Sequence, residues 1–185
     1  MTFAPTPFRL TQSHPHFFGE VTGLDLRQPL DEAVVAGVTA AIDRLGVLVF
    51  RAQQIDDEAQ LRFSAAFGRP QRSITVHREN QARRLRQEEL SDISNLDEHG
   101  LRLGMDHPRR LYQLTTQLWH TDSSFRNPAG KYTFLCAKRL PDEGGNTEFA
   151  DMRAAWDALP PARRQALRGL QVEHSLAWSR ILAFL

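Results

Sequence analysis

In the run "QLWHTDSSF", residues 117–125, a histidine and an aspartate stand two apart, His120 and Asp122, between Trp119 and Phe125. On a strand, side chains two apart share a face, so this imidazole and carboxylate converge on one point while Thr121 faces away. That arrangement suits a metal ion. An imidazole with a carboxylate is a donor set for iron(II), whose two-histidine, one-carboxylate sites leave positions open for cosubstrate and dioxygen. The same spacing also arises by chance, so the surrounding sequence has to decide. The two flanking rings would either exclude water from a reactive centre or pack as ordinary core.

The elements that must position the pair come in a readable order. "GEVTGLDLRQPL" (19–30) reads as a strand and a turn, and "DEAVVAGVTAAIDRLG" (31–46) as an amphipathic helix capped by Asp31 and stopped at Gly46. "VLVFR" (47–51) is a short buried strand by its β-branched and aromatic residues. "DDEAQLRFSAAFG" (56–68) predicts a second helix with Leu61, Phe63, Ala66 and Phe67 on its apolar side. Residues 69–113 form a long, polar loop region of the kind used for binding loops and lids, with only "ELSDISNL" (89–96) resembling a strand. Beyond the pair, "KYTFLCAKRL" (131–140) predicts a strand, "PDEGGN" (141–146) a turn, residues 151–170 a helix pair around Pro160 and Pro161, and "QVEHSLAW" (171–178) a last strand. The expected class is mixed α+β with a mainly β core.

Composition narrows the possibilities. A chain of 185 residues suits one domain, 1–185, and can bury roughly 70% of its unfolded surface. The lone Cys136 excludes an internal disulfide and lies in an apolar run, where a thiol acts as a small core residue in a reducing cytoplasm. No signal peptide or membrane-crossing run is present, so a soluble, unexported, cytoplasmic protein without a membrane partner is expected. Twenty-three Lys and Arg nearly balance 22 Asp and Glu, which argues against nucleic acid as a partner. The arginine-rich stretch "HRENQARRLRQEEL" (77–90) reads as a solvated helix with internal ion pairs. A homo-oligomer is compatible with all of this.

Several runs carry a family resemblance. "ELSDISN" (89–95), "QLWHTDSSF" (117–125), "GGNTEFADMRAAWDALP" (144–160) and "GLQVEHSLAWSR" (169–180), with "GLDLRQPLD" and "VLVFRAQQI" near the front, follow the order of motifs in the TauD/TfdA family. The chain resembles these Fe(II)- and 2-oxoglutarate-dependent dioxygenases over nearly its whole length, most of all the aryloxyalkanoate (2,4-dichlorophenoxyacetate) branch. The resemblance implies a double-stranded β-helix, or jelly roll, with flanking helices. It implies that His120 and Asp122 are two iron ligands and that Thr147 in "GGNTEF" holds the distal carboxylate of 2-oxoglutarate, a hydroxyl being able to donate there. It further implies that O2 converts the cosubstrate to succinate and CO2 while a small carboxylate- or sulfonate-bearing substrate is hydroxylated.

The third ligand of the family, a later histidine, and the arginine that completes the cosubstrate site are expected beyond "SRILAFL", where the chain ends, leaving the jelly roll incomplete at its C-terminus. A catalytically inactive fragment or remnant is therefore the alternative reading. His174 matches a family stretch in which it is not the iron ligand, so it is expected to be structural or to sit behind the ligands. His14, His16, His99 and His107 lie in polar stretches without ligand character. His77, Thr116 and Ser123 are the candidate substrate contacts, and Gly144 and Gly145 are expected to turn the backbone tightly ahead of Thr147.

Overall fold

The computed structural model describes residues 7–73, 84–114, 117–175 and 177–178. Their elements run β1 (Arg9–Gln12), β2 (Gly19–Thr22), α1 (Glu32–Leu45), β3 (Leu48–Phe50), α2 (Asp57–Ala65), α3 (Pro108–Leu114), α4 (Met152–Ala158) and α5 (Pro161–Leu167). The chain packs as two compact units. One takes the described residues up to Arg69 together with Cys136–Leu170, and the other takes the described residues of Pro70–Leu135 and of 171–185.

In the first unit the three strands form one sheet in the order β1-β2-β3. β1 pairs antiparallel with β2, Leu10 opposite Val21, whereas β3 runs parallel to β2 with Glu20 opposite Val49. Parallel neighbours need a long crossover, and α1 supplies it. Its buried residues, Val34, Val38, Ala41 and Leu45, recur at intervals of three and four, the spacing of one helical face. The Asp31 carboxylate accepts from the Val34 N–H at 2.7 Å, and Gly46, at φ 72°, ends the helix in a conformation that favours glycine. Val34 and Val38 join Phe8 and Val21 in the core, with Leu10, Leu24, Leu30, Leu48, Phe50 and Phe67 packed against them.

α2 starts the same way, Asp56 accepting from the Ala59 N–H at 2.7 Å, and buries Phe63 edge-on to Phe50 with ring centroids 5.5 Å apart. Gln53 ties the turn after β2 to the end of β3, accepting from the Leu26 N–H and donating to the Leu24 and Arg51 carbonyls. Asp151 caps α4 through the Arg153 N–H. Burial acts to raise the Asp151 pKa, but the backbone N–H and guanidinium of Arg153 and the Ala154 N–H outweigh it and hold the carboxyl below the usual range.

In the second unit Asp92, from "LSDISN", anchors α3. Its carboxylate pairs with Arg109 at 2.8 Å and Arg84 at 3.4 Å, while Gln113, one turn after Arg109, donates to its carbonyl. Asp97 organises the next turn by accepting from the Leu101 and His99 N–H groups, which lowers its pKa.

From Gly19 to Gly68 the elements agree with the sequence, as do the two helices around Pro160 and Pro161, whereas β1 lies in an N-terminal stretch for which no element is expected; the class is mixed α+β. The mainly β core is not what the described residues form. "ELSDISNL" contributes one isolated bridge, Leu96 with Arg102, and neither "KYTFLCAKRL" nor the described part of "QVEHSLAW" forms a strand among the described residues. Along 132–137 burial still alternates, with Tyr132, Phe134 and Cys136 half-buried and their neighbours exposed, so the two-residue period is real although no strand is formed there among the described residues. A strand requires a hydrogen-bonding neighbour, which a pattern of side chains cannot specify. Three smaller corrections follow the same logic of partners. Ala66 is exposed, β3 is half-buried, and Cys136 is half-buried rather than core. The arginine-rich stretch forms no helix over its described part, 84–90; Arg84 and Glu88 pair instead with Asp92 and Arg72. No helix among the described residues is long and apolar enough to cross a membrane.

Candidate metal site

His120 and Asp122 lie in the second unit, not on a strand but in an irregular stretch that enters a turn at Asp122. The turn explains why the expected alternation is replaced. Ser123 adopts φ 54°, Arg126 N–H donates to the Ser123 carbonyl, and a Cβ added to Gly130 would stand 3.1 Å from Ser123 Cβ. Ser123 is thus a left-handed residue inside the turn over 122–125, a conformation costly for serine, and Gly130 leaves room for its side chain. Arg126 fastens the turn by donating to the Arg72 carbonyl at 2.6 Å.

The two side chains nonetheless converge. His120 Nε2 lies 3.2 Å from Asp122 Oδ1, both side chains about half exposed. His120 Nδ1 sits 2.6 Å from the Leu118 carbonyl. A carbonyl only accepts, so Nδ1 carries the proton and, in the neutral ring, Nε2 turns a lone pair toward the carboxylate. Two lone-pair donors at this distance hold a cation between them, a proton or a metal ion. With metal–ligand bonds of about 2.1 Å, donors 3.2 Å apart subtend roughly 100° at a shared ion, the angle of neighbouring ligands in octahedral or tetrahedral sites. The donor set and its spacing thus fit a divalent cation, and the backbone carbonyl that fixes the tautomer is the usual support of a metal-binding histidine.

Among the described residues no three His, Cys, Asp or Glu side chains gather around one point. Two other loop histidines serve their own turns: His14 Nδ1 accepts from the His16 N–H, and His107 Nδ1 from the Arg109 N–H. His174 differs, its Nδ1 lying 2.6 Å from Ser124 Oγ, 50 residues away in sequence. Trp119 is 69% exposed, which removes the core-packing alternative for that ring among the described residues.

Thr147 belongs to the first unit and is exposed, two residues after Gly145; Gly144 and Gly145, with φ angles of 72° and 70°, give the tight turn expected there. Ser123 is the residue of the strained turn. His77 and Thr116 lie outside the described residues. Sequence reasoning did not single out Arg153, which donates to the carbonyls of Asp43 and Arg44 at the end of α1, or Ser124; the only signal for either was its place inside a family motif.

The chain thus presents an imidazole–carboxylate pair whose spacing is compatible with a shared cation. Its sequence from residue 8 to 182 matches the taurine catabolism dioxygenase TauD, TfdA family. The chain belongs to that family of Fe(II)- and 2-oxoglutarate-dependent dioxygenases. It is 40% identical over 169 residues to the alpha-ketoglutarate-dependent 2,4-dichlorophenoxyacetate dioxygenase of Burkholderia sp. (strain RASC), covering 91% of this chain and 57% of that protein. It is 32% identical over 166 residues to the (S)-phenoxypropionate/alpha-ketoglutarate-dioxygenase of Sphingobium herbicidovorans, with 89% and 52% covered. Among solved structures, AAD-2 in complex with Mn(II) and N-oxalylglycine superposes with a TM-score of 0.82 at 41% identity, over 95% of this chain and 58% of that one. The chain spans little more than half the length of these relatives.

Proposed function

We propose that this chain carries part of the active site of an Fe(II)- and 2-oxoglutarate-dependent oxygenase that hydroxylates a small carboxylate- or sulfonate-bearing substrate of the aryloxyalkanoate type, giving succinate and CO2. The observation that carries this reading is the 3.2 Å approach of His120 Nε2 to Asp122 Oδ1 in a ring whose tautomer is set by the Leu118 carbonyl. The relatives named for 2,4-dichlorophenoxyacetate and (S)-phenoxypropionate support the substrate class.

In this reading His120 and Asp122 hold the iron, which when bound supplies the chemistry of dioxygen activation. Both act through lone pairs directed at one point, and Leu118 keeps the His120 proton on the far side of the ring. Thr147 is the residue assigned to the distal carboxylate of 2-oxoglutarate, to which its hydroxyl would donate. Ser123, Thr116 and His77 are the residues assigned to the substrate. The alternating burial along 132–137, with Tyr132, Phe134 and Cys136 half-buried, supports the assignment of this run to a strand of a double-stranded β-helix. A free Cys136 accords with a cytoplasmic setting.

Anaerobic titration of the chain with Fe(II) and 2-oxoglutarate tests this. A visible charge-transfer band that disappears in His120→Ala and Asp122→Ala is expected. A folded chain that gives no band sinks the active reading and leaves the inactive fragment or remnant in its place.

A further inference from the structure

The hydroxyl of Ser124 stands at the centre of a short relay in the second unit. Ser124 Oγ donates to the Thr121 carbonyl at 3.2 Å, and His174 Nδ1 lies 2.6 Å from the same oxygen. A serine hydroxyl has one proton, and the Thr121 carbonyl can only accept it. With that proton on the Thr121 carbonyl, the second contact runs the other way, His174 Nδ1–H donating to Ser124 Oγ.

Thr121 is the residue between the two metal donors. Its carbonyl is the point at which the relay meets the segment, and the peptide that carries this carbonyl leads directly into Asp122. Ser123, at φ 54°, reverses the chain immediately afterwards, so the orientation of the Thr121–Asp122 peptide depends on a conformation that serine does not adopt by preference. A hydrogen bond on that carbonyl restrains the peptide at the place where a small rotation would swing the Asp122 carboxylate away from His120 Nε2. Ser124 alone is a weak restraint, because its χ1 is free to choose among three wells. A second bond, from a ring held on a separate stretch of chain, selects one.

We propose that His174 is a positioning residue of the metal site, acting through Ser124 Oγ on the Thr121 carbonyl to hold Asp122 in register with His120. The inference rests on the metal reading of that pair. His174 contacts neither donor and is not itself a ligand; its ring fixes the serine rotamer, and the serine fixes the peptide. Partners that orient metal ligands in this manner typically change metal affinity by 10- to 100-fold when removed. The lower end applies here, since His174 is exposed and water competes for its bond.

The test is titration with Mn(II) of the wild-type chain and of Ser124→Ala, His174→Ala, His174→Asn and the Ser124→Ala/His174→Ala double variant, with free Mn(II) read by electron paramagnetic resonance. Asparagine places an amide N–H near the position of the histidine Nδ1–H, so it preserves the donor while removing the ring. Each alanine variant is expected to bind about tenfold more weakly. The double variant is expected to be no weaker than either single one, because the two residues act in series. His174→Asn is expected to return to within about threefold of the wild type, well inside the tenfold loss. Affinity unchanged in His174→Ala, additive losses in the double variant, or an asparagine variant as weak as alanine overturns the proposal.

A second readout separates the proposal from the metal reading. In the metal-free protein, the amide resonances of Thr121, Asp122 and Ser124 are expected to move in His174→Ala and return in His174→Asn, while that of Val38 in the other unit stays fixed. If the wild-type chain binds no Mn(II), the metal reading fails and these resonances alone decide the relay: unmoved amides reject it. Should His174→Ala fail to fold, Ser124→Ala, which lacks a single hydroxyl, carries both measurements.

Discussion

Arg153 reaches over 110 residues of sequence to donate from Nη1 to the carbonyl of Asp43, 2.7 Å away. Its Nη2 takes the next carbonyl, Arg44, at 3.2 Å, and its backbone N–H is capped by Asp151. One side chain therefore closes the C-terminal end of α1 with a guanidinium while its own residue opens α4. Positive charge at the negative end of a helix dipole is favourable as well as hydrogen-bonded. Arg153→Ala should lower stability by about 1–2 kcal/mol, discounted for solvent exposure, with Arg153→Lys recovering part of it. Urea denaturation measures this, and equal midpoints for the three chains would show that the bonds contribute nothing.

Gln53 is expected to be intolerant of its own isostere. Its amide donates to the Leu24 and Arg51 carbonyls and accepts from the N–H of Leu26, which is buried. Gln53→Glu turns both donor contacts into carboxylate facing carbonyl. Losses of about 1–3 kcal/mol for Gln53→Ala, and a larger one for Gln53→Glu at neutral pH, are expected from thermal unfolding.

Gly19 opens β2 where no side chain fits. A Cβ there would lie 2.5 Å from Leu45 Cδ1 and 3.0 Å from Leu10 Cδ1, and Leu45 is only 1% exposed. Gly19→Ala should destabilise the chain by about 1–3 kcal/mol through overpacking. The companion Leu45→Ala, tested together with it, should relieve the clash, so the double variant is expected to be less destabilised than the sum of the singles.

Asp25 titrates far below an ordinary aspartate. The Arg27 side chain, and then the Arg27 backbone N–H, bond its carboxylate and lower its pKa from 3.8 to about 2. A carboxyl with a depressed folded-state pKa contributes stability above the unfolded value, and that contribution is lost as pH falls from about 4 through about 2. Carbon-detected NMR titration should place the Asp25 midpoint near 2, and Arg27→Ala should move it up toward 3.8. An unmoved midpoint would assign the shift to another cause.

Asp122→Asn separates stability from metal binding. With the His120 ring neutral, the metal-free pair sets a lone pair against a carboxylate, and an amide N–H would replace that opposition with a hydrogen bond. The variant is expected to unfold at the same or a higher temperature, by up to about 1 kcal/mol, while losing Mn(II) affinity by tenfold or more. A variant that is both less stable and equally able to bind Mn(II) would contradict the lone-pair geometry.

The sequence by itself determined a good deal. Asp31, Asp56 and Gly46 carry their conformational preferences in their own side chains, or in the lack of one, so both front helices were legible to within a residue or two. Pro160 and Pro161 divided α4 from α5 for the same local reason. His120 and Asp122 were legible as a pair from their types and from the motif around them.

What only the tertiary structure decided depends on partners distant in sequence. Alternation along 132–137 left the choice of neighbour open, and the described residues show the period without the ladder. His120 and Asp122 converge beside a turn at Ser123 rather than on a strand, and the Ser123 side chain packs close to Gly130, seven residues on. The bonds of His174 to Ser124 and of Arg153 to Asp43 span 50 and 110 residues. Local propensity is written in each residue, whereas a hydrogen-bond partner is chosen only when the chain has folded back on itself.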